Sequence, residues 1–124
     1  MASGNKEAAL DFLKMAASGK AKEAFSKYTS SSFKHHNAFF AAEPGGLAQA
    51  MDANAQMFPQ KKLEVQRALQ DGELVAVHSR MTMSPQDMGV SVVHLFRFDG
   101  GRIAEFWDVI MQIPDDCPNE NGVF

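Results

Sequence analysis

The sequence has little of several features that mark common classes of protein. Its single cysteine, Cys117, excludes an intrachain disulfide and a multi-cysteine zinc site. There are 12 basic against 15 acidic residues, so we expect neither nucleic acid nor a membrane as a partner. No apolar run approaches the roughly 18 residues of a membrane span. No apolar stretch follows the first six residues, so we expect no secretory signal and a cytoplasmic location.

Motifs for nucleotide binding and serine-hydrolase chemistry are also missing. The chain has no Walker loop, no dinucleotide-binding glycine fingerprint and no Gly-x-Ser-x-Gly elbow, so we expect no cofactor. What it does have is 45% hydrophobic and 22% charged residues, which is typical of a globular domain. Together with the length of 124 residues, this composition predicts one domain over residues 1–124 with a single hydrophobic core.

The spacing of apolar residues predicts that the first half of the chain is helical. Apolar residues recur there every three or four positions, as on one face of an amphipathic helix. The predicted helices cover residues 5–18, 20–28 and 46–58. The polar run at residues 29–32 is expected to end the second helix, and residues 33–40 to be irregular or extended. Residues 44–46 are expected to form a turn.

After Pro59 the apolar period changes to two, which predicts β-strands. The predicted strands cover residues 63–69, 74–83, 90–98 and 103–113. Turn sequences at Asp71-Gly72 and at residues 99–101 separate them as hairpins. We therefore predict an α+β fold, in which three helices pack on a strongly curved, mostly antiparallel sheet. A cone of this shape encloses a cavity, and such cavities are the default ligand sites of small domains.

Asp108 is the most informative ionisable residue. It lies in the segment Phe106-Trp107-Asp108-Val109-Ile110, in the middle of an apolar strand. A carboxylate there is costly unless it is paired, protonated or facing a wet cavity. A cavity position would suit general acid–base catalysis. The alternative is a salt bridge to an arginine of a neighbouring strand.

His94 lies on a strand face whose other residues are apolar, among them Phe96 and Phe98. Desolvation there would favour a neutral imidazole, which can act as a base or a hydrogen-bond donor. The alternative is a core histidine bonded to a neighbour. A three-residue loop at residues 99–101 would place His94 and Asp108 on one face, with Val92 opposite Asp108. A two-residue turn would place His94 and Asp108 on opposite faces, and the sequence leaves both registers open.

The remaining histidines form two further candidate groups. His35 and His36 are adjacent in an extended segment, so at most one of them should face the interior. That histidine is either a loop residue bonded to backbone or an acid, base or donor in the cavity. His78 shares a strand face with Arg80, which suits either the mouth of a pocket for a polar group or a hydrogen-bonded position in the sheet. His36, His78, His94 and Asp108 could together bind a metal, but no short histidine spacing supports this, and we predict no metal site.

Four segments of the chain resemble the SnoaL-like polyketide cyclase family, within the nuclear transport factor 2 and ketosteroid isomerase superfamily. They are His36-Asn37, residues 71–78, residues 96–103 and residues 105–110, and the last six residues also resemble the family's usual ending. The resemblance extends from about Lys6 to Phe124.

The resemblance implies a cavity between a curved sheet and helices, and a homodimer formed sheet to sheet, with Trp107 and Met111 on the covered face. Characterised cyclases of the family close a ring by intramolecular aldol condensation, without metal or cofactor. Carried over, Asp108 would be the acid–base residue. His36, Asn37 and His78 would line the pocket or stabilise the enolate oxygen.

The sequence and the resemblance together predict an enzyme that moves protons next to a carbonyl group in a hydrophobic cavity. The expected catalytic residues are Asp108, His94 and His36. The residues expected to contact a small hydrophobic carbonyl compound are Asn37, His78, Arg80, Phe40, Met51, Phe96 and Phe106. The alternatives are a non-catalytic binding protein with the same cavity, and a hydrolase or dehydratase that uses a bound water.

Overall fold

The computed structural model describes residues 2–124, with side chains from residue 4 onward. The helices are α1 (Ala2–Ala17), α2 (Ala21–Tyr28) and α3 (Pro44–Met57). The strands are β1 (Thr29–His35), β2 (Lys62–Asp71), β3 (Leu74–Thr82), β4 (Val90–Asp99) and β5 (Arg102–Gln112). The predicted α+β class, the three helices and the four strands after Pro59 are confirmed.

The sheet has one strand more than predicted. Its order is β1-β5-β4-β3-β2, with β2 to β5 as an antiparallel meander and β1 parallel to β5. The prediction that residues 29–32 only end a helix is therefore wrong. The serines there resemble a helix breaker because most of them face solvent, and only Phe33 and His35 of β1 are buried. Pairing with β5 makes this segment a strand.

Side-chain carboxylates set where two of the helices begin. Glu43 accepts hydrogen bonds from the backbone N–H groups of Gly45 and Gly46, at 2.7 and 2.8 Å. Pro44 occupies the first helical position, where its missing N–H costs nothing. The predicted turn at residues 44–46 is thus the first turn of α3. Asp52 of α3 in turn accepts a hydrogen bond from the first N–H of α2 at 2.6 Å, which ties the two helices together.

The core lies between the helices and the inner face of the sheet. Phe12 of α1 is fully buried, and its ring centroid lies 5.3, 5.8 and 6.1 Å from those of Phe25, Phe96 and Phe106. This aromatic cluster joins α1 and α2 to β4 and β5. None of the helices that the structure describes combines the length and apolar character needed to cross a membrane.

β2 contains a bulge that changes which of its side chains face the core. Val65 and Arg67 pair with successive residues of β3, so Gln66 is an extra, unpaired residue. Ala68 therefore packs against the core, whereas Leu69 lies 66% exposed on the outer face. The regular alternation of inward and outward side chains that a period of two predicts for this strand is therefore wrong beyond Val65.

Candidate functional site

His94 and Asp108 face each other across β4 and β5. The hairpin between these strands closes with a two-residue turn, since Asp99 pairs with Arg102. A two-residue turn alone would separate the two side chains, but Ala104 is an extra residue that moves the register by one. His94 therefore pairs directly with Asp108. Of the two possibilities left open by the sequence, the structure combines the two-residue turn of one with the common face of the other.

The turn itself depends on two glycines. Gly100 and Gly101 have φ values of +60° and +83°, the left-handed region at both central positions of a tight hairpin turn. Side chains other than glycine are strained there. The Asp99-Gly100-Gly101 signal in the sequence was therefore a correct indicator of a hairpin, but not of its length.

His94 and Asp108 line a cavity of about 340 Å³ between α3, the loop after β1 and the inner face of the sheet. Its apolar walls are formed by Phe40, Leu47, Ala50, Met51, Met81, Met83, Val92, Phe106 and Ile110. Its polar lining consists of Asn37, Asn54, Lys61, His94 and Asp108. The cavity has the character of a small-molecule site, with a few polar groups in an apolar wall.

Asn37 holds Asp108 in place. The Asn37 side-chain N–H donates to Asp108 Oδ2 at 2.9 Å, and Asn37 Oδ1 accepts from the backbone N–H of Phe39 at 3.0 Å. The second bond fixes the orientation of the amide, because its oxygen already has a donor. The Asn37 backbone N–H donates to His35 Nδ1 at 3.2 Å, and His35 Nε2 donates to the Ala41 carbonyl at 2.9 Å. Buried His35 thus supports the loop that carries Asn37.

His94 is a neutral imidazole deep in the cavity wall. Its ring stacks on Phe106 with centroids 5.4 Å apart, and only 6% of the residue is exposed. Burial lowers the pKa of His94 to about 4. Its Nδ1 is buried and has no hydrogen-bond partner among the described residues. The cavity therefore contains a neutral histidine next to a carboxylate.

His36 lies outside this cavity, so its expected position is corrected. Its Nε2 lies 2.6 Å from Glu105 Oε2, and its ring stacks on Trp107 at 5.2 Å. These contacts are on the outer face of β5. The bond from His36, with a smaller contribution from Arg97, lowers the pKa of Glu105, although desolvation opposes it. One histidine of the pair is buried, in agreement with the expectation of at most one, but it is His35.

His78 and Arg80 also lie on the outer face of the sheet, away from the cavity. They share a face as predicted, but Val75, Val77 and Ser79 are the buried residues of β3, so the other set of side chains points outward. His78 contacts Ser91 Oγ at 2.9 Å, and Arg80 donates to a backbone carbonyl. Their expected role at the mouth of the pocket is therefore corrected.

The apolar residues predicted to contact the ligand also fall into two groups, those that line the cavity and one that does not. Phe40, Met51 and Phe106 line the cavity. Phe96 is fully buried beside Phe106, and its centroid lies 5.2 Å from that ring, so it supports the cavity wall from behind.

Sequence reasoning missed Asn54 and Lys61, which form the other polar part of the cavity. The Lys61 ammonium donates to Asn54 Oδ1 at 2.8 Å. Burial lowers the pKa of Lys61. A lysine pair after a helix is typical of a solvated surface, and no pattern in the sequence distinguishes Lys61 from Lys62.

A metal centre is not formed by the residues that the structure describes. They contain no group of three or more histidine, cysteine, aspartate and glutamate side chains placed to hold a metal ion. Of the four residues considered above, His36 and His78 lie on the outer face, whereas His94 and Asp108 lie inside.

Solved structures of other proteins share this fold. AclR from Streptomyces galilaeus, a candidate hydroxylase, is 20% identical with a TM-score of 0.72, covering 90% of this chain and 91% of that one. A candidate SnoaL-like polyketide cyclase from Jannaschia sp. CCS1 is 17% identical with a TM-score of 0.71, covering 87% and 85%. IdmH from Streptomyces antibioticus, a candidate polyketide cyclase, is 18% identical with a TM-score of 0.66, covering 86% and 91%. At these identities the likeness shows the fold alone.

The sequence comparison identifies the family. No curated protein matches the chain significantly in sequence. The family model for the SnoaL-like domain matches residues 9–106, which is most of the chain and ends two residues before Asp108. With the cone-shaped α+β fold shared by the solved structures, this match shows that the chain belongs to the family of SnoaL-like domains.

Proposed function

We propose that the protein is an enzyme that transfers a proton next to a carbonyl group, without a cofactor, in an aldol-type cyclisation or an isomerisation. The observation that supports this most directly is the pairing of Asp108 with His94 inside an apolar cavity. A carboxylate and a neutral imidazole in one largely apolar cavity can act as base and hydrogen-bond donor, respectively.

Asp108 is the proposed base. Its Oδ2 is held by Asn37, and the hydrogen bonds of the described residues leave Oδ1 without a donor. Oδ1 would take a proton from the carbon next to the substrate carbonyl. The electron pair of that C–H bond moves to the carbonyl oxygen and forms an enolate. In an isomerisation Asp108 returns the proton to another carbon as the carbonyl re-forms. In a cyclisation the enolate carbon forms a bond to a second carbonyl carbon, the π electrons of that carbonyl move to its oxygen, and Asp108 returns the proton to this oxygen.

His94 is the proposed donor to the enolate oxygen. A neutral imidazole carries one N–H, and the low pKa of His94 keeps it in this form at neutral pH. Donors aimed at developing charge act strongly in a site that excludes water. His36 has no part in this proposal because it contacts Glu105 and Trp107 on the outer face.

A non-catalytic binding protein is the second candidate, and two observations favour it. Asn37 already satisfies one oxygen of Asp108, which a purely structural carboxylate would also require. Met51, Met81 and Met83 line the cavity, and flexible methionines suit binding of varied hydrophobic ligands.

Hydrogen–deuterium exchange of a simple ketone separates these functions. α-Tetralone in D₂O would be followed by proton NMR at its α-carbon, with the wild type and with Asp108→Asn. We expect the substitution to lower the protein-dependent exchange rate by about 100-fold or more. Glu105→Gln changes a carboxylate of the same strand on the outer face and should leave exchange unchanged. Binding of the ketone without exchange in any variant would establish the binding protein instead.

A further inference from the structure

Lys61 places an ammonium group in the wall of the cavity without a carboxylate partner. It follows α3 and directly precedes β2. Its Nζ donates to the neutral amide oxygen of Asn54 at 2.8 Å. The ion pairs found in the described part of the chain do not include Lys61, although its neighbour Lys62 pairs with Glu64. The cavity therefore has a half-buried cation that forms no ion pair with any of the described residues.

The Lys61 ammonium keeps hydrogen-bonding capacity that a ligand can use. An ammonium has three N–H donors, and Asn54 accepts one of them. Desolvation lowers the pKa of Lys61, which is the physical sign that the charged form is poorly compensated. An anion placed beside it would supply both acceptors and opposite charge.

Asp108 determines where such an anion can lie. Asp108 and Lys61 line the same cavity, and no ion pair of the described residues joins them. A ligand anion is attracted to Lys61 and repelled by Asp108, so the two charges orient the ligand within the cavity.

We infer that Lys61 binds an anionic group of the ligand, so that the substrate is a carbonyl compound that also carries a carboxylate or a similar acid. The inference rests on the proposed function, because it places the carbonyl of the ligand at His94 and Asp108. The acid then lies at the Asn54 and Lys61 end of the cavity. Lys61 acts as a specificity-determining residue, and Asn54 positions it.

A matched pair of ligands tests this. The acid 6-acetyl-2-naphthoate and its neutral methyl ester present the same ketone with and without the charge. Dissociation constants would be measured by titration calorimetry for the wild type, Lys61→Met and Lys62→Met. We expect the wild type to bind the acid at least about tenfold more tightly than the ester, as for a charged hydrogen bond. Lys61→Met should abolish this preference, and Lys62→Met should keep it.

The outcomes separate this inference from the proposed function. A wild type without preference for the acid, or a Lys61→Met variant that retains it, overturns the role of Lys61 even if α-tetralone exchange depends on Asp108. A preference that depends on Lys61, without exchange of any ketone, supports the anion site and overturns the enzyme. Coupling of the ketone to Lys61 by borohydride reduction would show a nucleophilic amine and would also overturn anion binding.

Discussion

The buried, neutral His94 makes the stability of the protein depend on pH in a defined direction. The pKa of His94 is about 4 in the folded protein, against 6.5 for an ordinary histidine. Between these values the unfolded chain binds the proton more readily, so the free energy of unfolding falls as pH falls from 6.5 towards 4. The full shift corresponds to about 3 kcal/mol. Between pH 8 and pH 5 the loss from this residue is about 2 kcal/mol.

Urea denaturation at pH 8 and pH 5, for the wild type and His94→Leu, measures this quantity. We expect the loss of unfolding free energy between the two pH values to be about 2 kcal/mol smaller in the variant, because leucine has no proton to bind. Carboxylates with a lowered pKa, such as Glu105, lose most of their contribution only below their ordinary value of 4.5. Because the lower measurement is made at pH 5, these carboxylates contribute little to the measured loss of unfolding free energy.

A second variant controls for general loss of stability. Val75 is fully buried in β3, and Val75→Ala should lower the free energy of unfolding by a similar amount at both pH values. If His94→Leu kept the pH dependence of the wild type, His94 would not be desolvated in the folded protein. Its assignment as a neutral hydrogen-bond donor would then be refuted.

Three further predictions concern other parts of the molecule. Asn37→Ala should lower α-tetralone exchange by about tenfold in the NMR assay, because Asp108 loses a hydrogen bond to its charged oxygen, and unchanged exchange would contradict this. Phe12→Ala should lower the free energy of unfolding by about 3–5 kcal/mol in urea at pH 8, and a loss below 1 kcal/mol would show that the aromatic cluster repacks. We also propose a homodimer through the outer sheet face, where Val109 is 61% exposed. Val109→Glu should then give a monomer by light scattering, and a persisting dimer would place the interface elsewhere.

Most of the fold could be predicted because local periodicity and long-range packing agree. The apolar period changes at Pro59, and every strand after it was found with its ends within two residues. β1 could not be predicted in this way. Its polar residues at 29–32 have no strand periodicity, and its parallel pairs with β5 are formed at Thr29, Lys34 and His35 with residues more than 60 positions away in sequence.

The candidate site was predictable where one polar residue interrupts an apolar strand. Asp108 and His94 stand out for this reason, and both line the cavity. The choice within the histidine pair failed because the phase of β1 is determined by its neighbour β5, where His35 pairs with Phe106. Lys61 was missed because its environment depends on how the segment after α3 packs, which its own neighbours in sequence do not indicate.

The bulge at Ala104 determines which changes of chain length between His94 and Asp108 the cavity can accommodate. His94 and Asp108 share a face only because a two-residue turn is combined with one unpaired residue. Ala104 has no partner on β4, so its removal would eliminate the bulge and leave His94 opposite Asp108, and a residue added between Gly100 and Gly101 can be accommodated by a longer loop still closed by Asp99 and Arg102. A single insertion or deletion is therefore compatible with the site at these unpaired positions, whereas one among the paired residues between the turn and either side chain would turn His94 or Asp108 to the other face.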